Sequence, residues 1–303
     1  WEQRGTWYAE TEDKIAQAVA EAAARLEPVR LAAGRGSIYL GHNRRRIGPD
    51  GRAVMFWRNE AREPTSPVDP TVTVLRVDSS SSGKTLALAV HYACHPSILG
   101  PDNLEISADY PGAMAAEVEK ALGEGALCLF WQGAAGDINP YMDKQPVAAG
   151  GFAEVERAGR ALAAEALRVA RRLKPRENLP LRAASEVLPL RHRWEPGKTI
   201  GAGLTAVALG EEVALVAVPG EPFVNLQIDL GDKSEVPFTL LLGYTSGAGD
   251  EWVGYLPTIE AAVSGGYGAG WNTTLEPGAG ERLLDRGLIL VYQLLGKLKD
   301  VPQ

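Results

Sequence analysis

TVTVLRVDSSSSGKTLALAVHYACHP, residues Thr71 to Pro96, is the stretch whose reading decides the fold. Thr71–Val77 alternates apolar and polar side chains, the period of a strand with one covered face. Ser79–Gly83 is turn-like, and Thr85–Tyr92 is a second apolar strand, so the segment reads as a β-hairpin. It runs straight into His95, which is followed at once by Pro96. The chain has only 4 histidines in 303 residues, and two of them, His91 and His95, lie here four apart. Loops at strand ends are where a rigid sheet presents its polar groups.

Working outward, Ala9–Leu26 repeats alanine and apolar residues at helical spacing. Pro111–Leu122 reads as a helix with proline in its first turn, Ala126–Trp131 as a buried strand, and Phe152–Leu173 as a long amphipathic helix. Leu179–Leu190 and Leu204–Val218 read as long antiparallel neighbours. A helix over Phe223–Leu230, a strand over Phe238–Leu242, a loop over Gly243–Gly254 and a closing helix over Glu281–Leu298 complete the chain. Helices mixed with antiparallel hairpins predict an α/β fold, a mixed-sheet layered domain with helices packed on the sheet.

A net charge of -7 argues against nucleic acid as a partner, and Arg44-Arg45-Arg46 is too short to reverse that. No apolar run approaches the ~20 residues of a bilayer span. Cys94 and Cys128 sit in strand-like runs and read as buried thiols. Ser82-Gly83-Lys84-Thr85 resembles the end of a phosphate loop, but position 78 is Asp78 rather than glycine, and a strand rather than a helix follows. Neither G-x-S-x-G nor H-E-x-x-H occurs, which removes the common serine-hydrolase elbow and the helical zinc-protease site.

What remains is a set of polar residues at strand ends: His95, Asp109, Asp137, Glu221 just past Val218-Pro219-Gly220, and Tyr255. A histidine, a carboxylate and a third oxygen donor suit Zn²⁺, which would activate water at neutral pH. The structural alternatives stay open. A strand-end histidine is often a satisfied core residue. Glu221 could cap its helix, Tyr255 could be a core aromatic, and Asp109 and Asp137 could hold loops through backbone amides.

HYACHP (His91–Pro96), ISADYPG (Ile106–Gly112), GAAGDINP (Gly133–Pro140), VPGEP (Val218–Pro222), GYLPT (Gly254–Thr258) and GGYGAG (Gly265–Gly270) occur in the order seen in the neutral/alkaline ceramidase family, which the chain resembles over most of its length. That family hydrolyses N-acylsphingosine amides with one zinc ion. The resemblance implies a single hydrolase domain over residues 1–303, with zinc ligands His95, Glu221 and Tyr255 and with Tyr267 and Arg44 beside the reacting carbonyl. It also implies a small lipid-like substrate and a secreted or periplasmic setting, although no signal-peptide pattern is visible. Two departures stand out. The family's upstream H-T-H-S-G-P segment, which carries another zinc histidine, has no counterpart here, as if the chain were N-terminally truncated; His42 or His91 is left to substitute. The C-terminal immunoglobulin-like domain is also missing, and Asn43-Arg44-Arg45-Arg46 replaces N-R-S-P. The expected activity is therefore zinc-dependent cleavage of a ceramide-like amide. A broad carboxylesterase on the same site, or a non-catalytic remnant of the fold, are the alternatives.

Overall fold

The Thr71–Tyr92 hairpin forms as read, and two four-stranded sheets grow around it. The computed structural model describes residues 2–177, 179–245 and 252–299, with side chains from residue 6 onward. In chain order the elements are α1 (Glu2–Ala24), β1 (Val29–Ser37), β2 (Gly41–Asn43), β3 (Arg45–Ile47), β4 (Ala53–Met55), β5 (Thr71–Ser79), β6 (Thr85–Tyr92), α2 (Asp109–Leu122), β7 (Leu127–Gln132), β8 (Ile138–Pro140) and α3 (Gly151–Ala170). Then come β9 (Leu181–Arg191), β10 (Thr199–Leu209), β11 (Val213–Ala217), β12 (Glu221–Pro222), α4 (Val224–Lys233), β13 (Phe238–Leu242), β14 (Tyr255–Leu256), α5 (Ile259–Ser264) and α6 (Ala279–Leu294).

The first sheet has the order β1-β5-β6-β7 and the second β13-β11-β10-β9. In each, two antiparallel pairings are followed by one parallel pairing, β6 with β7 and β11 with β13. Strand alternation decides what each face meets. On β6, Leu88, Val90 and Tyr92 pack with Met114 and Val118 of α2 and Leu162 and Ala166 of α3. Ala89, on the opposite face, packs with Leu75 against Leu209, Val213, Leu215 and Phe238 of the second sheet. On the far side, Leu204, Ala206 and Val216 pack against Leu283, Leu284 and Val291 of α6 and Leu226 and Leu230 of α4. The result is a mixed α/β molecule in four layers, helices–sheet–sheet–helices. Gly287 makes the last contact possible, since a Cβ there would lie 2.4 Å from Val216 Cγ1.

Two expectations need correction. Leu204–Val218 is not one strand. The chain reverses at Gly210, whose φ is +57°, and Leu209 pairs with Val213. The apolar run continues through both arms of this hairpin because both lie in the buried middle of the sheet, so the Gly210-Glu211-Glu212 turn was the only signal. The other correction concerns His91, expected to be free to join His95. β6 ends at Tyr92, so its two-residue period does not carry to residue 95. His91 instead lies between the sheets, with Nε2 2.9 Å from the Leu241 carbonyl. The helix over residues 9–26 forms earlier, as α1, and its described side chains are nearly all exposed. Part of the expected 243–254 loop, residues 246–251, lies outside the described residues, as does Trp1.

Candidate functional site

Short ladders between the sheets' ends assemble the site. β12 and β14 pair in parallel with Glu221 directly opposite Tyr255, and Glu221 N–H donates to the Gly254 carbonyl at 3.0 Å. Gly220, at φ +71°, makes this approach possible; a Cβ there would lie 2.3 Å from the Gly254 oxygen. On the other side β2 pairs with β8, and Arg44 N–H donates to the Asp137 carbonyl at 2.9 Å. His95 is tied to the same short strand twice: its backbone N–H donates to the Ile138 carbonyl at 3.0 Å, and its Nδ1 lies 3.0 Å from that oxygen.

The five residues that the resemblance implied, His95, Glu221, Tyr255, Tyr267 and Arg44, lie together. His95 Nε2 lies 2.8 Å from Glu221 Oε2. The His95 and Tyr255 ring centroids are 6.4 Å apart, and those of Tyr255 and Tyr267 5.4 Å. The buried Arg44 guanidinium carbon sits 5.3 Å from the Tyr255 ring centroid and 5.1 Å from that of Tyr267. Arg44 donates to Asn139 Oδ1 at 3.1 Å and to the Gly136 carbonyl at 2.6 Å, while its buried Nε–H has no acceptor.

The donor set has a definite chemistry. With Nδ1–H given to Ile138, a neutral His95 imidazole turns a lone pair toward the Glu221 carboxylate. A cation held by both groups would meet that lone pair and the carboxylate together. Second-side anchoring of this kind is what orients a metal-binding imidazole. Burial acts to raise the Glu221 carboxyl. The His95 imidazole and the Tyr244 and Tyr255 hydroxyls outweigh it and hold that carboxyl below its ordinary value. Burial pushes the Tyr255 phenol upward, opposed by Arg44. Nitrogen and oxygen donors of these types fit a zinc ion. Among the described residues no three His, Cys, Asp or Glu side chains converge, so the set reaches three only with Tyr255.

His42 does not supply the missing imidazole either. Its Nε2 lies 2.8 Å from the Phe56 carbonyl and its ring stacks on Tyr141 at 5.9 Å. Asp109 and Asp137 hold backbone, one of the two readings the sequence left open. Asp109 accepts from Leu99 N–H and Tyr110 N–H at 2.9 and 2.7 Å. Asp137 accepts from Val224 N–H, at the start of α4, and from Asn43 Nδ2, both at 2.8 Å.

Sequence reasoning missed several residues. Tyr244 donates to Glu221 Oε2 at 3.0 Å. It lies two residues past the end of β13, and that strand-end position was its one legible signal. A cleft of about 480 Å³ opens over His95, Tyr255 and Tyr267 and is also lined by Trp57, Arg58, Ser97, Asp143 and Lys144. Trp57 stands edge-on to Tyr267 with centroids 5.3 Å apart. Nothing local in the sequence marks Arg58 or Lys144.

No family model matches the chain, and no curated protein sequence does. Among solved structures it is similar to a ceramidase complexed with C2, at a TM-score of 0.71 and 16% identity over 93% of this chain. It is equally similar to the neutral ceramidase from Pseudomonas aeruginosa, at a TM-score of 0.71 and 16% identity over 96% of this chain. The fold is therefore the one those ceramidases use, and the chain spans about 56% of their length. Among the described residues no helix is long and apolar enough to cross a membrane.

Proposed function

We propose that this chain carries the site of a zinc-dependent hydrolase that cleaves an N-acyl amide of the ceramide type. The observation that supports it most is the meeting of His95 Nε2 and Glu221 Oε2, 2.8 Å apart, with Tyr255 in register beside the glutamate. His95, Glu221 and Tyr255 would hold the ion, and zinc, when bound, supplies Lewis-acid polarisation of the carbonyl and acidification of water.

The protein's own groups do the rest. Ile138 fixes the imidazole so that Nε2 faces inward. Tyr244 donates to the same Glu221 oxygen that faces His95 and so fixes the carboxylate's orientation. Arg44 and Tyr267 would donate to the oxygen of a tetrahedral intermediate, a contribution of about 3 kcal/mol for each well-placed group. Arg44 is pinned by Asn139 and Gly136 and so needs no reorganisation as charge develops. The aromatic wall of Trp57 and Tyr267 offers apolar surface for an acyl chain and keeps bulk water from the carbonyl.

Metal analysis and turnover together test the reading. Purified protein should carry zinc, and a strong chelator should abolish hydrolysis of a fluorescent ceramide, with zinc restoring it. Full activity after chelation overturns the proposal. Zinc content near zero with no activity on readdition would point to the non-catalytic form of the fold. Turnover of a short p-nitrophenyl ester without turnover of the ceramide would assign the same site to an esterase.

A further inference from the structure

The cleft over the reacting centre has a charge the rest of the molecule lacks. The chain carries a net -7, yet the cleft wall presents Arg44, Arg58 and Lys144. The wall's one carboxylate, Asp143, is fully buried, and both of its oxygens are used. One accepts from Ser97 Oγ at 2.7 Å and the other from Lys144 Nζ at 2.7 Å. Glu60 lies 2.8 Å from Arg58 but is not part of the wall, and its side chain is 66% exposed. The cations therefore line the cleft, Lys144 and Arg58 each keeping one ion pair, to Asp143 and Glu60.

Hydrogen-bond supply points the same way. Arg58 Nη2 meets Gln145 Oε1 at 2.6 Å and Glu60 Oε1 at 2.8 Å, while among the described residues its Nη1 makes no hydrogen bond. An ammonium has three protons, and among the described residues Lys144 Nζ makes one hydrogen bond, to Asp143. Lys144 is held in place by its own backbone, at φ +50° with its N–H on the Ser97 carbonyl at 2.9 Å. Its Nζ stands 5.4 Å from the centre of the Trp57 ring. The cleft is rich in donors and poor in free acceptors. A neutral amide or alcohol can meet only part of that surplus. A carboxylate or phosphate brings several acceptor lone pairs and a charge that guanidinium and ammonium groups bind strongly.

Resting on the amidase reading above, we infer that this cleft selects an acyl amide with an anionic head group, received by Arg58 and Lys144 rather than by the groups around the carbonyl. Arg44 stays with the reacting oxygen. Arg58 and Lys144 set specificity and take no part in bond cleavage.

Uncleavable ketomethylene analogues, in which CH₂ replaces the amide NH, separate binding from turnover. Three head groups on one dodecanoyl chain are compared by titration of tryptophan fluorescence: carboxylate (the glycine analogue), phosphate (the phosphoethanolamine analogue) and neutral hydroxyl (the ethanolamine analogue). At least one anionic ligand should bind roughly tenfold tighter than the neutral one at low salt, an advantage of the size expected for two partly exposed charge contacts. That advantage should shrink as salt rises. Whichever anion binds tighter identifies the head-group chemistry. Arg58→Gln and Lys144→Asn should each remove most of the preference, read as the ratio of anionic to neutral affinity within the same variant; an unchanged ratio in both overturns the inference. Asparagine suits the left-handed backbone at 144, and Arg58→Gln leaves that backbone untouched, so a folding defect in one variant does not decide the matter. Equal affinity for charged and neutral ligands overturns the inference even if the enzyme hydrolyses amides. An anionic preference without hydrolysis of any acyl amide by zinc-loaded protein leaves the selectivity standing and overturns the amidase reading.

Discussion

Asp137→Asn is a nearly isosteric change that should be costly. The carboxylate is buried and joins three parts of the site. Oδ1 accepts from Val224 N–H at the start of α4, just past Glu221, and Oδ2 accepts from Asn43 Nδ2, beside Arg44. Its carbonyl holds Arg44 N–H, and the next residue, Ile138, holds His95. Burial pushes this carboxyl above its ordinary value, against the pull of Val224 N–H, Asn43, Arg44 and Arg45. An asparagine has one oxygen for two donors, so its NH₂ must face one of them. Asn43 cannot turn to compensate, because its Oδ1 accepts from Arg45 N–H at 2.9 Å and its Nδ2 also donates to the Pro67 carbonyl at 3.0 Å. One buried donor is left unmet, at about 1–3 kcal/mol. Arg44 and Arg45, both buried, also lose a nearby counter-charge. We expect Asp137→Asn to cost about 2–4 kcal/mol. Asp137→Ala, which orphans both donors, should cost about 3–6 kcal/mol, a large part of the ~5–15 kcal/mol that holds a typical domain together. Urea unfolding followed by tryptophan fluorescence measures both. A loss below about 0.5 kcal/mol for Asp137→Asn would refute the account, since it would mean the donors find other partners.

Other outcomes follow from the same structure. Gly220→Ala should destabilise the protein by clearly more than Gly51→Ala, by thermal melting. Both glycines have positive φ, but a Cβ at 220 meets the Gly254 oxygen at 2.3 Å, whereas one at 51 meets nothing within 4 Å. Burial pushes the imidazoles of His91 and His42 below their usual value. The unfolded chain therefore binds protons that the folded chain refuses. Stability should be level above pH ~7.5 and fall below ~6.5 by about 1.4 kcal/mol per pH unit for each histidine, until the folded form also titrates. His91→Gln should make that fall shallower between pH 6.5 and 5, and an unchanged slope would count against it. Glu221→Gln should weaken zinc binding at least tenfold in a competitive chelator titration, because the amide brings no negative charge to the ion. Wild-type zinc affinity in that variant would remove Glu221 from the ligand set.

The sequence by itself determined the local structure near the site and the kinds of group it would contain. The Thr71–Tyr92 hairpin was legible because two strand-like apolar runs flank the Ser79–Gly83 turn. His95, Glu221 and Tyr255 were visible as polar residues where apolar runs end. Only the tertiary structure decided which of them meet. Glu221 stands beside Tyr255 through a two-residue parallel ladder too short to leave a periodic signal. His91 and His42 were excluded by where their strands face, which depends on sheet packing rather than on spacing. The turn at Gly210 was hidden because both arms of its hairpin are equally buried, so apolar character does not drop between them. Tyr244 reached Glu221, and Arg58 and Lys144 the cleft, from distant loops. Their positions depend on the face-to-face stacking of two sheets, a long-range arrangement that no local window of residues encodes.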